Sequence, residues 1–195
     1  MTYPEKLNQR PVILASGSPR RQFLLRDLGL DFEVMVSEVE EIIPEKVTNE
    51  EVAVYLAELK AGSFDFETFR PGTILIAADT IVCLDHYIIG KPKDKEDAVR
   101  MLQMLSGRRH EVITGVCIKS ADKMKTFFAS SHVYFKELSE GEIRYYVDTF
   151  SPLDKAGAYG IQEWIGYVAI ERIEGSFYNV MGLPVKRLYE ELVSF

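Results

Sequence analysis

Cysteine is scarce in this sequence, and apolar runs of membrane-spanning length are absent. Of 195 residues only Cys83 and Cys117 are cysteines, each inside an apolar, strand-like run and without CxxC spacing. That excludes a disulfide scaffold and a four-cysteine zinc module, and reads as two buried free thiols in a cytoplasmic protein. No stretch approaches the roughly eighteen apolar residues of a membrane helix. Residues 1–10 are polar and lack the apolar segment of a secretory signal. Excess positive charge is missing too: the formal net charge is -7. This argues against a general binder of nucleic acid or membrane surfaces, but leaves room for a small anion where cations gather locally. Neither GxxxxGK[ST] nor GxGxxG occurs. His86, His110 and His132 are too scattered for metal-ligand spacing; His86 reads as a turn residue, the others as structural strand residues. There is no internal repeat, low-complexity segment or long linker.

What is present is a core and a set of placed charges. A hydrophobic fraction of 47% suffices for one domain or two closely joined lobes. The apolar run at 11–14 predicts a strand, and Ala15-Ser16-Gly17-Ser18-Pro19-Arg20-Arg21 follows it. Ser18 suits an N-cap and Pro19 the first helical position, with Leu24, Leu25 and Leu28 along one side of the helix. Strand, small-residue turn and helix N-terminus together suit an anion, and the two arginines add charged planar donors. Residues 32–36 read as a strand before an acidic stretch. Thr48 with Glu51 forms a capping box opening a helix to about Ser63. Lys60 borders that helix's inner face, either as an exposed lysine with a buried stem or as a site residue.

Residues 73–84 are almost wholly apolar and β-prone, as in a strand covered on both faces. The one carboxylate inside, Asp79, either satisfies backbone at a bulge or serves a site. A hairpin through Asp85-His86 returns by Tyr87-Ile88-Ile89 to Gly90-Lys91-Pro92. Asp94 caps a helix ended by Ser106-Gly107. Strands are expected at 110–120 and 125–135, and Ser139 with Glu142 opens a helix to about Val147. Residues 154–162, rich in small side chains, read as a loop that lets another molecule approach the backbone. A strand at 168–174, a loop at 175–184 and a C-terminal helix at 185–193 complete an α/β protein with a large mixed sheet. The cations Arg20, Arg21, Lys60 and Lys91, with Lys155 a further candidate, stand beside the acids Asp79, Glu40 or Glu41, and Asp154. This set suits phosphoryl chemistry, and its hard oxygen ligands would select magnesium or manganese.

The sequence resembles the Maf family of nucleoside triphosphate pyrophosphatases over nearly its whole length. The resemblance rests on Ala15–Arg21, Ala78-Asp79-Thr80, Gly90-Lys91-Pro92 with Leu105-Ser106-Gly107, and Asp154-Lys155-Ala156-Gly157-Ala158-Tyr159-Gly160-Ile161-Gln162. Within the family it is similar to the branch acting on dTTP and UTP. The resemblance implies one Maf-like domain, residues 1–195, with a long bent mixed sheet flanked by helices and two lobes around a central cleft. It implies hydrolysis of the triphosphate to monophosphate and pyrophosphate. Asp79 would accept the proton of the attacking water, and Ser16, Arg20, Arg21, Lys60 and Lys91 would hold the triphosphate. Arg20, Thr80 and Gln162 would discriminate the base. Glu41 and Asp79 would bind a divalent cation, Mg2+ or Mn2+, with Glu40 an alternative register for Glu41. One departure is Glu163, where many relatives have glycine. The family also implies a homodimer and is linked to arrest of septum formation. A nucleotide-binding regulator of division with little turnover, and a 7-methyl-GTP pyrophosphatase, are therefore the competing readings; Thr80 and the Tyr159–Gln162 segment disfavour the latter.

Overall fold

β1 (Val12–Leu14) is the buried apolar run ahead of the small-residue turn, and α1 (Pro19–Asp27) starts where Pro19 takes the first helical position. The computed structural model describes residues 7–42, 47–85 and 87–195. The polar start at residues 1–6 and the turn assigned to His86 lie outside them. Ser18 occupies the N-cap position as expected, but its hydroxyl makes no capping bond. Both capping boxes form. Thr48 and Glu51 exchange hydrogen bonds at the start of α2 (Asn49–Gly62), and Ser139 and Glu142 do so further on. α3 (Lys95–Leu105) is capped by Asp94, which accepts the Asp97 N–H at 2.8 Å. α4 (Glu140–Phe150) packs against α3 and runs a turn beyond the expected Val147.

Among the described residues the sheet has seven strands. β2 (Glu33–Val34) is shorter than the expected 32–36, while β3 (Ile74–Leu84), β4 (Tyr87–Ile89), β5 (Arg109–Lys119) and β6 (Met124–Phe135) match their apolar runs within a residue. β7 (Ile170–Glu174) begins two residues late, because α5 (Trp164–Ala169) occupies the preceding stretch. The loop read at 175–184 contains a short helix, α6 (Phe177–Met181), before α7 (Val185–Ser194). Strand order is β2-β1-β3-β5-β6-β7, with β4 paired to β3 off that path. β1 is parallel to β2 and β3, whereas β3–β4 and β6–β7 are antiparallel, so the fold is α/β with a mixed sheet.

The chain divides into two compact units. The first holds the described residues through Asp79 with Thr114–Ala129 and Gly182–Phe195; the second holds Thr80–Ile113 and Ser130–Met181. In the first, Ile13, Ala15, Ala57, Ala61, Leu75, Ala77 and Cys117 form one core cluster, with Phe64, Phe66 and Phe69 packed on it. Here α2 lies close on β5: a Cβ at Gly115 would stand 2.1 Å from the Ala53 carbonyl oxygen. Ala53, Ala57 and Ala61, four apart and fully buried, make that approach possible. In the second unit, Ile143, Tyr146 and Val147 on α4 are buried, as are Ala98, Leu102 and Leu105 on α3.

Candidate active site

The turn after β1 and the last turn of α2 deliver the charges of the first unit. Ser16 is buried, and its Oγ accepts the Ser18 N–H at 3.3 Å and Arg21 Nη1 at 3.1 Å. Arg21 also donates from Nε to the Gly182 carbonyl at 2.9 Å. Two oxygen atoms of the chain, Ser16 Oγ and the Gly182 carbonyl, thus orient this guanidinium. Its head is packed among protein atoms, and this desolvation lowers its pKa from 12.5; Asp79 and Glu41 oppose that pull, and Arg20 adds to it. Those four charges therefore share one neighbourhood. Lys60 donates to Asp79 Oδ1 and lies 2.9 Å from Glu41 Oε1. Its side chain is only 21% exposed, so the lysine bordering α2's inner face holds two carboxylates instead of reaching solvent. Asp79 and Thr80 are the two residues of β3 that are not fully buried. Ser16, Arg20, Arg21, Glu41, Lys60 and Asp79 are brought together here.

Thr80, Lys91 and Gln162 belong to the second unit. Lys91 is exposed and leaves the β3–β4 hairpin two residues past the Val82–Ile89 pair. The Gly157 N–H donates to the Gly90 carbonyl at 3.0 Å, tying the 154–162 loop to the Gly90-Lys91-Pro92 segment. That loop contains a 3-10 turn at Ala156–Ala158 in which Gly157 (φ 69) and Ala158 (φ 58) are both left-handed. A buried alanine in this region is a strained backbone held by its surroundings. Beyond it, Tyr159 is buried with its hydroxyl 2.8 Å from His110 Nε2 and its ring 5.0 Å from that of Phe135. Gln162 Oε1 is buried without a hydrogen-bond partner.

One candidate is reassigned. Lys155, grouped by sequence with the phosphate cations, is 7% exposed and held by Asp154 (2.7 Å) and Glu163 (3.1 Å). Its charge is answered inside the protein. The reading of the residues also passed over Tyr146, which supports the same loop. Its only signal was an inward position on α4, which any core residue shares.

The donor set suits a hard cation. Asp79 and Glu41 already converge on one positive charge, the Lys60 ammonium, and offer only carboxylate oxygens. Among the described residues no group of three or more His, Cys, Asp or Glu gathers for a metal. An ion bound by these two carboxylates would complete its shell with water and phosphate oxygens, the usual arrangement for magnesium.

The family model for Maf-like protein matches residues 11–195. The chain belongs to the Maf family. A dTTP/UTP pyrophosphatase of Bacteroides thetaiotaomicron is 50% identical over 187 residues, covering 95% of this chain and 96% of the relative. Proteins of the same description from Porphyromonas gingivalis (49%, covering 98% and 97%) and Flavobacterium johnsoniae (47%, covering 97% of each) are similar over the same span. Among solved structures, the Staphylococcus aureus Ham1 protein aligns over 95% of this Maf chain and 99% of its own at 17% identity, with a TM-score of 0.48. No helix among the described residues is long and apolar enough to cross a membrane.

Proposed function

We propose that this Maf-family chain is a nucleoside triphosphate pyrophosphatase acting on dTTP and UTP. The observation that carries the proposal is the gathering of Arg20, Arg21 and Lys60 around Asp79 in a chain of net charge -7. Relatives about half identical along their whole length, and described as dTTP/UTP pyrophosphatases, support the substrate.

In this reading Ser16, Arg20, Arg21, Lys60 and Lys91 hold the triphosphate. Arg21 enters already oriented by Ser16 and the Gly182 carbonyl, so little ordering remains for the substrate to drive. Asp79 orients a water against the α-phosphorus and takes its proton. A bond forms from that oxygen to the α-phosphorus, the bond to the α–β bridging oxygen breaks, and pyrophosphate leaves with the electron pair. Asp79 and Glu41 would hold a divalent cation, which when bound would offset phosphate charge and acidify water. The cationic side chains offset the charge that builds on the leaving group. Arg20, Thr80 and Gln162 read the base. A glutamine amide oxygen can accept from the imide N–H of thymine and uracil, which cytosine lacks.

The test is product analysis with dTTP, UTP, CTP, GTP and 7-methyl-GTP, with magnesium or manganese and with chelator. Pyrophosphate plus dTMP or UMP, formed only with metal, is expected. The Asp79→Asn variant should still bind nucleotide while losing at least about two orders of magnitude in turnover. Release of orthophosphate would move the attack to the terminal phosphate. Nucleotide binding without turnover would favour the regulator, and preference for 7-methyl-GTP the other branch.

A further inference from the structure

Lys60 is claimed by two tasks. Its ammonium donates to Asp79 Oδ1 and lies 2.9 Å from Glu41 Oε1, and both ion pairs it makes among the described residues are with carboxylates. The same ammonium is counted among the cations that hold the triphosphate. An ammonium whose single charge is already answered by two carboxylates has little left to attract a polyanion. The two tasks are therefore sequential. A flexible four-carbon stem carries the charge from the last turn of α2, so it can swing while the helix stays in place. Arg21 differs, because Ser16 Oγ and the Gly182 carbonyl hold its planar head.

Asp79 and Glu41 are also the two carboxylates suited to a divalent cation. A cation bridging them would sit against the Lys60 ammonium, whose side chain is only 21% exposed. Like charges in contact at so sheltered a place repel strongly. The charge balance agrees. With Lys60 between them, half of the carboxylates' charge is already offset; without it, their two negative charges match a divalent cation.

We infer that the Lys60 ammonium holds the place of the divalent cation in the nucleotide-free protein, and that on metal binding Lys60 exchanges both carboxylates for phosphate oxygens of the nucleotide. The inference rests on the reading of this cluster as a metal-assisted triphosphate site. Lys60 is then an exchangeable counter-ion. It keeps Asp79 and Glu41 from standing as an unpaired acidic pair, and it makes metal and triphosphate bind better together than apart. A lysine that merely braces the two carboxylates would stay on them with metal present.

The experiment follows metal binding without nucleotide in the full-length protein, by the relaxation of water protons by Mn2+, for the parent, Lys60→Met and Lys60→Arg. Lys60→Met keeps most of the stem and removes the competing charge. Mn2+ should then bind at least about tenfold tighter, the scale of one charged hydrogen bond. Lys60→Arg, which keeps a charge on the carboxylates, should bind Mn2+ no tighter than the parent. In the parent, reductive methylation of the Lys60 amine, read by peptide mass, should speed up when Mg2+ is added. Loss of a positive charge could by itself tighten Mn2+, but it cannot release the parent's lysine. A methylation rate indifferent to saturating Mg2+ therefore overturns the inference. So does a soluble Lys60→Met that binds Mn2+ no better than the parent. Hydrolysis of dTTP that persists in chelator, with no Mn2+ bound by any variant, keeps the pyrophosphatase and overturns the exchange. Exchange at Lys60 without hydrolysis of any nucleotide would sink the enzymatic reading and leave the exchange standing.

Discussion

His110 puts an imidazole where a charge is costly. It is 2% exposed, wedged edge-on between the rings of Phe135 and Tyr159, and desolvation pushes its pKa from 6.5 down to about 4, with the Arg108 backbone pulling weakly the other way. The unfolded chain binds a proton near pH 6.5 that the native protein refuses until about pH 4. Stability from this residue is therefore fully present above that window and lost on acidification through it, by about 3 kcal/mol. Urea unfolding between pH 7 and pH 4 should show that slope, and His110→Leu should flatten it even though it starts less stable. Glu142 works in a lower window. The Lys136 ammonium and the Ser139 cap hold its carboxyl at about 2, so its contribution is present above pH 4.5 and fades towards pH 2. That limb should survive in His110→Leu. Equal slopes in parent and variant between pH 7 and 4 would mean that His110 already carries a proton in the native state.

At the scale of elements, α2 matters because of what rides on it. Its approach to β5 is set by the missing side chain of Gly115, and its last turn carries Lys60 to Asp79. Gly115→Ala would place a methyl group 2.1 Å from the Ala53 carbonyl, so the helix must move outward. Overpacking of this kind costs about 1–3 kcal/mol, and the displaced Lys60 should lower kcat/KM for nucleotide as well. Thermal denaturation and steady-state kinetics on the one variant check both, and parent-like values in each would show that the helix yields without moving its end.

The starts of α2, α3 and α4 were legible because Thr48, Asp94 and Ser139 act through neighbours three residues away in sequence. β3 was legible because its apolar run is long. α5 was not. Ile165, Tyr167 and Val168 favour strands, yet the segment is helical. Gly166 lies so close to the Ile161 carbonyl that a Cβ there would stand 1.8 Å from its oxygen. Asp79 could be singled out as the one carboxylate in an apolar strand, and the arginines as charges at a helix start. That Lys60, bordering the core face of α2, would reach Asp79 required the packing of α2. Lys155 could be grouped only by charge. Its real partner Glu163 lies eight residues away across a turn with two left-handed residues, which no local pattern announces.

For the whole molecule, an acidic protein must attract a polyanion. The net charge of -7 repels a nucleoside triphosphate at long range, while the cluster around Asp79 attracts it at short range. Added salt screens both, but the contact terms it weakens are those that hold the phosphates. Raising chloride from about 0.05 to about 0.5 M should raise KM for dTTP several-fold with little change in kcat, against a sucrose control for viscosity. A KM indifferent to salt would mean that the arginines and lysines contribute little to holding the substrate.

The two cysteines have a use unrelated to catalysis. Cys117 lies in the first unit, its thiol pushed up to about 12 chiefly by burial and further by Glu58, and Cys83 is equally buried in the second. Neither presents a thiolate to reagent while its unit stays closed. Each unit thus carries one internal clock. The rate at which an alkylating reagent marks each cysteine, separated by peptide mass, times the opening of one unit independently of the other. A nucleotide that steadies only one of them would slow one label and spare its counterpart.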